Sequence, residues 1–264
     1  MHGEAASDRT VLAITGTERV HFLQGLVSND VSALEGRLVY AAMLSPQGKY
    51  LADFLLSARG DAILLDVQSD LAAGLLRRLG MYKLRADVAI APAGLHVCRG
   101  TGTPPDGALP DPRHPALGWR AYADTPGGAP VIDWDAIRVA HCIPETGIEL
   151  IPDETYILEA GFERLHGVDF HKGCYVGQEV TARMKHKTTL KKGLVGVTIE
   201  GSAPPGTPIL TAEGKQAGTL FTQSGGRAIA YLRFDRAEGP LRAGSAQITD
   251  DADQARAARP ARPT

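Results

Sequence analysis

The sequence predicts an α+β protein with a β-rich C-terminal module, and three observations carry this expectation. Between residues 38 and 90 the apolar runs and turns read strand, strand, strand, helix, strand, which suits an antiparallel sheet covered by helices on one face. From Leu194 onward the pattern changes to short β-like runs separated by Gly or Pro turns, as in a small barrel or sandwich. With 264 residues, 44% hydrophobic and 22% charged, the chain can bury one large core or two to three small ones.

Taken in order, Thr15-Gly16-Thr17-Glu18 reads as a capping box, and Val20, Phe22, Leu23, Leu26 and Val27 form the apolar stripe of a first helix over 18–28. Apolar runs at 38–44 and 50–56 flank the turn composition Ser45-Pro46-Gln47-Gly48 and predict a hairpin, with a third strand at 63–67. Ser69 or Asp70 caps a helix running through Leu79 and ending at Gly80, after which 82–90 returns as a strand. The Pro/Gly-rich passage 100–115 is expected to be an irregular surface loop. Asp133 caps a helix bearing Ile137 and His141, and Pro144 prevents its continuing much beyond Cys142. Val180, Met184 and Lys187 keep helical spacing, so a further helix begins near Gln178. Strands follow at 195–197, 209–210, 216–221, 228–234 and 246–248, while 251–264 lacks apolar residues larger than Ala and is expected to be disordered.

A formal charge of −2 provides no global field for nucleic acid or membrane, so anion binding must come from a local patch. Cys98, Cys142 and Cys174 are odd in number and contain no C-x-x-C pair, which suggests neither a disulfide framework nor a zinc site. Free thiols fit a reducing cytosol, and the early acids and missing apolar h-region of MHGEAASDRT argue against a signal or transit peptide, so a cytoplasmic location is expected. No apolar run long enough to span a membrane is present.

The chemistry concentrates in Lys172-Gly173-Cys174-Tyr175-Val176-Gly177-Gln178-Glu179, which sets a lone thiol between two glycines and then launches a helix. Gly173 and Gly177 allow positive φ or a close approach to the backbone. Cys174 reads as a nucleophile, a redox-sensitive thiol or a ligand, since a helix N-terminus and Lys172 favour its thiolate; the plain alternative is a thiol that packs. Lys172, Arg183, Lys185, Lys187, Lys191 and Lys192, with His171 and His186, face only Glu179 as a nearby acid. Such a run is usually a solvated face, and no aromatic side chain interleaves with it, which disfavours nucleic acid. Glu179 and Arg183 stand at i and i+4 and can pair on the helix surface. Asn29 and Asp30 read as a helix C-terminal cap with a turn or as polar groups lining a cleft. Asp53, among Tyr50, Leu51, Phe54, Leu55 and Leu56, needs a hydrogen-bond donor if buried.

KGCYVGQE, continuing through Val180-Thr181-Ala182-Arg183-Met184, resembles the signature of the YgfZ family, folate-binding proteins related to the aminomethyltransferase (T-protein) of glycine cleavage. Further segments are similar to the same family: FLQGLVSND at 22–30, YAAML at 40–44 with Pro46-Gln47-Gly48 and Asp53, YKLRADV at 82–88, read there as a strand, and Arg138-Val139-Ala140 with Ile143-Pro144. The resemblance spans roughly residues 11–195 and implies an α+β, three-module T-protein-like ring with ferredoxin-like modules and a C-terminal β-barrel. Residues 1–40 with 130–190 would form a discontinuous domain carrying the motif, 41–129 a middle domain, and 191–250 the barrel.

In function it implies a tetrahydrofolate-binding accessory factor for the maturation or repair of iron–sulfur proteins, linked to tRNA-modifying enzymes, with Cys174 as a functional thiol. Tetrahydrofolate or a one-carbon derivative would contact Asp53, Asp30, Lys172, Tyr175, Gln178, Glu179 and Arg183, its glutamate tail toward the basic run; no metal is expected. Partners would be the folate and iron–sulfur client or assembly proteins. Two departures weigh against turnover: the aminomethyltransferases carry an Asp-Asp pair where this chain has Ala52-Asp53, and a glutamate where it has Ala140, for which Glu145 or Glu149 could substitute. A folate-dependent one-carbon transferase and a folate-independent scaffold docking acidic partners through 183–192 remain the alternatives.

Overall fold

The computed structural model describes residues 3–250; the expectation for 251–264 lies outside them. Contacts divide the chain into two compact units, the first up to Ile132 with Leu165–Gln178, the second from Asp133 to Arg164 and from Glu179 onward. This differs from the three-part division expected from the sequence. The first unit holds β1 (Glu4–Ala5), β2 (Arg9–Thr15), α1 (Arg19–Gln24), β3 (Val39–Leu44), β4 (Tyr50–Arg59), β5 (Ala62–Gln68), α2 (Ser69–Lys83), β6 (Ala89–Pro92), β7 (His96–Gly100), β8 (Leu109–Pro110) and β9 (Trp119–Ala123). Strand β2, expected in a different domain from 41–129, pairs antiparallel with both β5 and β6, so the boundary at 40 does not separate domains.

The five-stranded sheet runs β3-β4-β5-β2-β6. Alternation places Val39, Ala41 and Met43 of β3 with Ala52, Phe54 and Leu56 of β4 on one face, where they join Leu23 and Leu26 from the α1 region and Ala72, Leu75 and Leu79 of α2 in the main core. The opposite face carries Val11 and Leu64, which pack with Ala6 and Val97 of a four-stranded sheet, β1-β7-β9-β8. The same face bears Asp53 and Asp66.

Several helix boundaries differ from expectation for identifiable reasons. Helix α1 ends at Gln24 because the following backbone is taken by β3: Val27 bridges Met43 and Ser28 N donates to Ala42 O at 2.9 Å. Glu18, the acid of the predicted capping box, turns instead to a distant partner, its Oε2 accepting from Asp87 N at 2.6 Å, and Thr17 Oγ1 donates to Asp87 Oδ2 at 2.7 Å. Helix α2 is capped by Gln68, whose side chain accepts from Asp70 N at 2.7 Å, and it continues through Gly80 to Lys83. Of the strand expected over 82–90, only the end is β. The expected irregular loop 100–115 contains β8 and the buried Asp111.

The second unit holds α3 (Trp134–His141), α4 (Gln178–Lys187, beginning at the boundary) and six strands: β10 (Lys192–Glu200), β11 (Pro208–Thr211), β12 (Gln216–Ser224), β13 (Arg227–Arg233), β14 (Leu241–Ala243) and β15 (Ala246–Asp250). Asp133 caps α3 as expected, accepting from Ala136 N at 2.9 Å, and the helix ends on Cys142 at φ 50°. The strands close in the order β10-β13-β12-β11-β14-β15, a barrel rather than a sandwich. Its interior is filled by small side chains, Ala217, Ala228, Ala230, Ala243 and Ala246 among Val, Ile and Leu. The fold is thus α+β with a closed C-terminal barrel.

Candidate functional site

The motif loop is fastened to the segment after α1 by hydrogen bonds from widely separated parts of the sequence. Ser28 Oγ donates to Gly167 O at 2.6 Å and accepts from Ala42 N at 2.8 Å. Asn29 Nδ2 donates to Tyr40 O at 2.8 Å and to His166 O at 2.7 Å, so Asn29 is a bridge and not a helix cap. Asp169 N donates to Ser28 O at 3.0 Å and Val176 N to Gly25 O at 3.2 Å.

Lys172 completes this fastening from within. Its ammonium donates to Val27 O at 2.6 Å and Asn29 O at 2.8 Å, and lies 5.2 Å from the centre of the Tyr175 ring. Lys172 and Tyr175 are both buried. Burial pushes the Lys172 ammonium down to about 8, with Asp30 and Asp169 opposing the shift. A lysine committed to two carbonyls and a ring is a clamp, and this moves Lys172 and Tyr175 from the expected ligand contacts to the residues that hold the loop.

The two glycines around the thiol differ. Gly177 has φ +84°, and a Cβ there would lie 2.6 Å from Ser45 O and 2.8 Å from Leu44 Cβ, so the loop rests directly on the β3–β4 turn. At Gly173 a Cβ would meet nothing within 4 Å. Cys174 between them is exposed, whereas Cys98 and Cys142 are buried, and burial pushes the Cys142 thiol up to about 11. Among the three cysteines, chemistry with a large partner is open to Cys174.

Asp53 is buried on the face of β4 away from the main core. Tyr40 Oη donates to its Oδ2 at 3.0 Å and Tyr50 Oη to its Oδ1 at 2.7 Å, so the protein itself supplies the donors its burial demands. Tyr40 lies diagonally across the strand pair, since Ala42 is the residue opposite Asp53. Tyr50 precedes Asp53 by three residues and would ordinarily face the other side. A bulge at Leu51, where Met43 pairs Ala52 but Leu44 pairs Tyr50, restores it to the same face. Burial first, and then the Asp53 carboxylate, raise the Tyr40 pKa well above its ordinary value, so the phenol stays a donor. The Arg113 guanidinium sits 5.4 Å from the Tyr40 ring centre. Ala52, where the aminomethyltransferases have a carboxylate, points into the apolar core.

Asp30 serves a turn. It accepts from Ser32 N at 2.9 Å, Ser32 Oγ at 2.9 Å and Gln24 Nε2 at 2.6 Å, and the Ser32 backbone bond leads in holding its carboxyl below the usual range. At the start of α4, Gln178 is half-buried, while Glu179 and Arg183 are exposed. The basic run is less free of acids than its sequence suggests, because Lys185 pairs with Glu163 and Lys192 approaches Glu159 at 3.8 Å. Arg138 binds both Glu145, at 2.8 Å, and Glu149, at 3.1 Å; Glu149 also accepts from Thr222 Oγ1 at 2.6 Å, anchoring β12. Among the described residues no cluster of three or more His, Cys, Asp or Glu side chains is placed to hold a metal ion.

Tyr40, Tyr50 and Arg113 are site residues that the sequence reading missed. The two tyrosines flank the predicted hairpin turn, but their convergence depends on pairing register and on a bulge that composition does not mark.

Comparison with known proteins gives a consistent assignment. Residues 191–261 match the family model described as CAF17, C-terminal beta-barrel domain. The chain is 30% identical over 278 residues to the mitochondrial iron–sulfur cluster assembly factor IBA57 of Mus musculus, covering 88% of this chain and 78% of that protein. It is 29% identical over 277 residues to the Homo sapiens protein of that name, with the same coverage, and 32% identical over 231 residues to the Mycosarcoma maydis homolog, covering 75% of this chain and 57% of that one. The crystal structure of glycine cleavage system aminomethyltransferase T from Bartonella henselae matches with a TM-score of 0.74 at 14% identity, covering 94% of this chain and 85% of that one, which shows a shared fold. The relatives are named as mitochondrial, which overturns the cytoplasmic expectation. Free thiols report a reducing environment and carry no address. With 30% identity to a relative of which it spans 78%, the chain belongs to the IBA57 family of iron–sulfur cluster assembly factors.

Proposed function

We propose that the chain is a tetrahydrofolate-binding accessory factor in the maturation or repair of iron–sulfur proteins, including tRNA-modifying enzymes, with Cys174 as its functional thiol. The observation that carries this reading is the exposed thiol on a loop clamped by a buried lysine, in a chain whose relatives are named as iron–sulfur cluster assembly factors. The loop holds its backbone fixed while leaving the sulfur open to a partner.

The folate part rests on the YgfZ resemblance and on the chemistry of the Asp53 group. A carboxylate is an acceptor and the amino and ring N–H groups of a reduced pterin are donors, so the residue types suit the ligand, which would have to displace the Tyr40 or Tyr50 hydroxyl to reach the buried Asp53. Asp53, Tyr40 and Tyr50 would hold the ring. When bound, tetrahydrofolate supplies a carrier for a one-carbon unit. The protein's residues bind and orient it, and the phenols keep their protons.

Calorimetric titration with tetrahydrofolate and its 5-formyl and 5,10-methylene forms tests the folate part. Binding in the micromolar range is expected, weakened at least about tenfold in Asp53→Ala through loss of a charged acceptor; equal affinity in that variant would remove the folate reading. The thiol is tested separately. Cys174→Ala should retain folate affinity and fail to restore iron–sulfur enzyme activity in a deletion strain, and full restoration would exclude the role given to the sulfur.

A further inference from the structure

The segment 81–85 has no part in the site described above, and it presents side chains that a folded protein ordinarily covers. Leu84 is 87% exposed, Met81 67% and Tyr82 36%, together at the end of α2. Leu84 also adopts φ 46°, ψ −107°, a conformation that strains a residue with a side chain and persists only where its surroundings over-determine it. Here they do. Ala86 N donates to Lys83 O at 2.9 Å, Val88 N to Ala86 O at 2.8 Å and Glu18 N to Asp87 O at 3.3 Å. Thr17 binds the Asp87 carboxylate, and the backbone of Gly16 lies so close that a Cβ would be 2.1 Å from Asp87 O. The turn is a fixed protrusion carrying large apolar side chains into solvent.

The end of the helix is itself basic, while the Asp87 and Glu18 carboxylates lie beside the turn at its base. Residues 71–86 contain Arg77, Arg78, Lys83 and Arg85 and no acid, in a chain whose net charge is −2. Among the described residues no ion pair engages any of these four. Cations near a helix C-terminus complement its dipole, which accounts for the basic residues but not for the exposed Met, Tyr and Leu. Met, Tyr and Arg are enriched at the centres of protein interfaces, and a preformed turn avoids much of the ordering cost of binding. Leu84 and Met81 are too few for stable anchoring in a bilayer.

We propose that the end of α2, with Met81, Tyr82 and Leu84 at its centre and Arg77, Arg78 and Arg85 around them, docks an acidic protein surface that offers an apolar pocket. The partner's class rests on the reading above: it is an iron–sulfur assembly or client protein. The apolar knob provides the contact, and the cations select an acidic face and speed encounter with it.

Two substitutions at one residue separate docking from folding. Leu84→Asp removes the knob and adds a repelling charge; Leu84→Gly removes it while relieving the backbone. In the full chain both should fold, with Leu84→Gly melting at or above the parent temperature, and both should keep the parent's response to tetrahydrofolate. In the deletion strain both should restore iron–sulfur enzyme activity at least about tenfold less well than the parent, as should the pair Arg77→Glu with Arg85→Glu. Full restoration by Leu84→Asp and Leu84→Gly would overturn the proposal. So would a concentration-dependent dimer abolished by Leu84→Asp, which assigns the knob to a second copy, or Leu84-dependent sedimentation with phosphatidylcholine–phosphatidylglycerol vesicles, which assigns it to lipid. Cys174→Ala run in parallel distinguishes the two readings. If it fails where Leu84→Asp succeeds, docking alone falls; if it restores full activity, the thiol reading falls.

Discussion

Asp66→Ala is expected to cost the protein about 3–5 kcal/mol, because it removes one partner from a buried ionic group. The Asp66 carboxylate is fully buried between Arg9, 2.6 Å away, and Arg120, 2.9 Å away, and Tyr122 Oη approaches it at 3.4 Å. Arg120 continues to Asp111 at 3.2 Å, which in turn binds Arg113 at 2.7 Å. Removing the carboxylate leaves two desolvated guanidinium groups on the same side of the sheet with one acceptor fewer. A fall in the urea midpoint at unchanged slope is the measurement, and a loss below about 1 kcal/mol would mean that water enters and takes over the carboxylate's role.

The same group fixes the acid response. Burial alone would raise the Asp66 pKa, but Arg9 and Arg120 outweigh it and hold it below the usual carboxylate range; Arg113 and Arg120 do the same for Asp111. The folded state therefore binds fewer protons than the unfolded chain below the unfolded pKa of about 3.9. The stabilisation is complete above that value and is lost as pH falls through the lower folded values. Denaturant midpoints should fall below pH 4, with a shallower fall in Asp66→Asn.

Gly177→Ala should have the second large effect, about 2–4 kcal/mol, combining a left-handed backbone with overpacking. The added Cβ meets a backbone carbonyl, Ser45 O at 2.6 Å, which cannot rotate away as a long side chain would, and Gly48 Cα at 3.3 Å. The loop must lift from the turn. The expected result is faster amide exchange at Val176 and Asp169, whose N–H groups donate to Gly25 and Ser28, together with loss of iron–sulfur enzyme support. Gly173→Ala is the control, since open space surrounds that position; equal exchange in the two variants would show that the loop does not depend on its seat.

What the sequence made legible was local. The hairpin around Ser45–Gly48, the Asp133 cap, the start of α4 at Gln178 and most of the barrel strands depend on neighbours within a few residues, and patterning records those. The clamp was hidden, because Lys172 is defined by carbonyls more than 140 residues away and its sequence context reads as a surface cation. Asp53 was marked as a residue needing donors, but the identity of those donors depended on register. The segment 82–90 reads as a strand because Tyr82, Leu84 and Val88 alternate, yet Leu79 extends the buried stripe of α2 and carries the helix past Gly80. The ionic group of Arg9, Asp66, Arg120, Asp111 and Arg113 has no sequence signature, since its members come from three strands and a loop.

The bulge at Leu51 bears on how this hairpin is to be traced among related sequences. With the extra residue, a tyrosine and an aspartate three positions apart share one face; a hairpin lacking it reaches the same arrangement with a spacing of two. A search for a fixed Tyr-x-x-Asp pattern would therefore pass over chains that keep the phenol–carboxylate pair, and an ungapped alignment would set Asp53 against a core residue. Divergence in this part of the family is best followed through the paired strand, where Tyr40 and Ala42 keep the count.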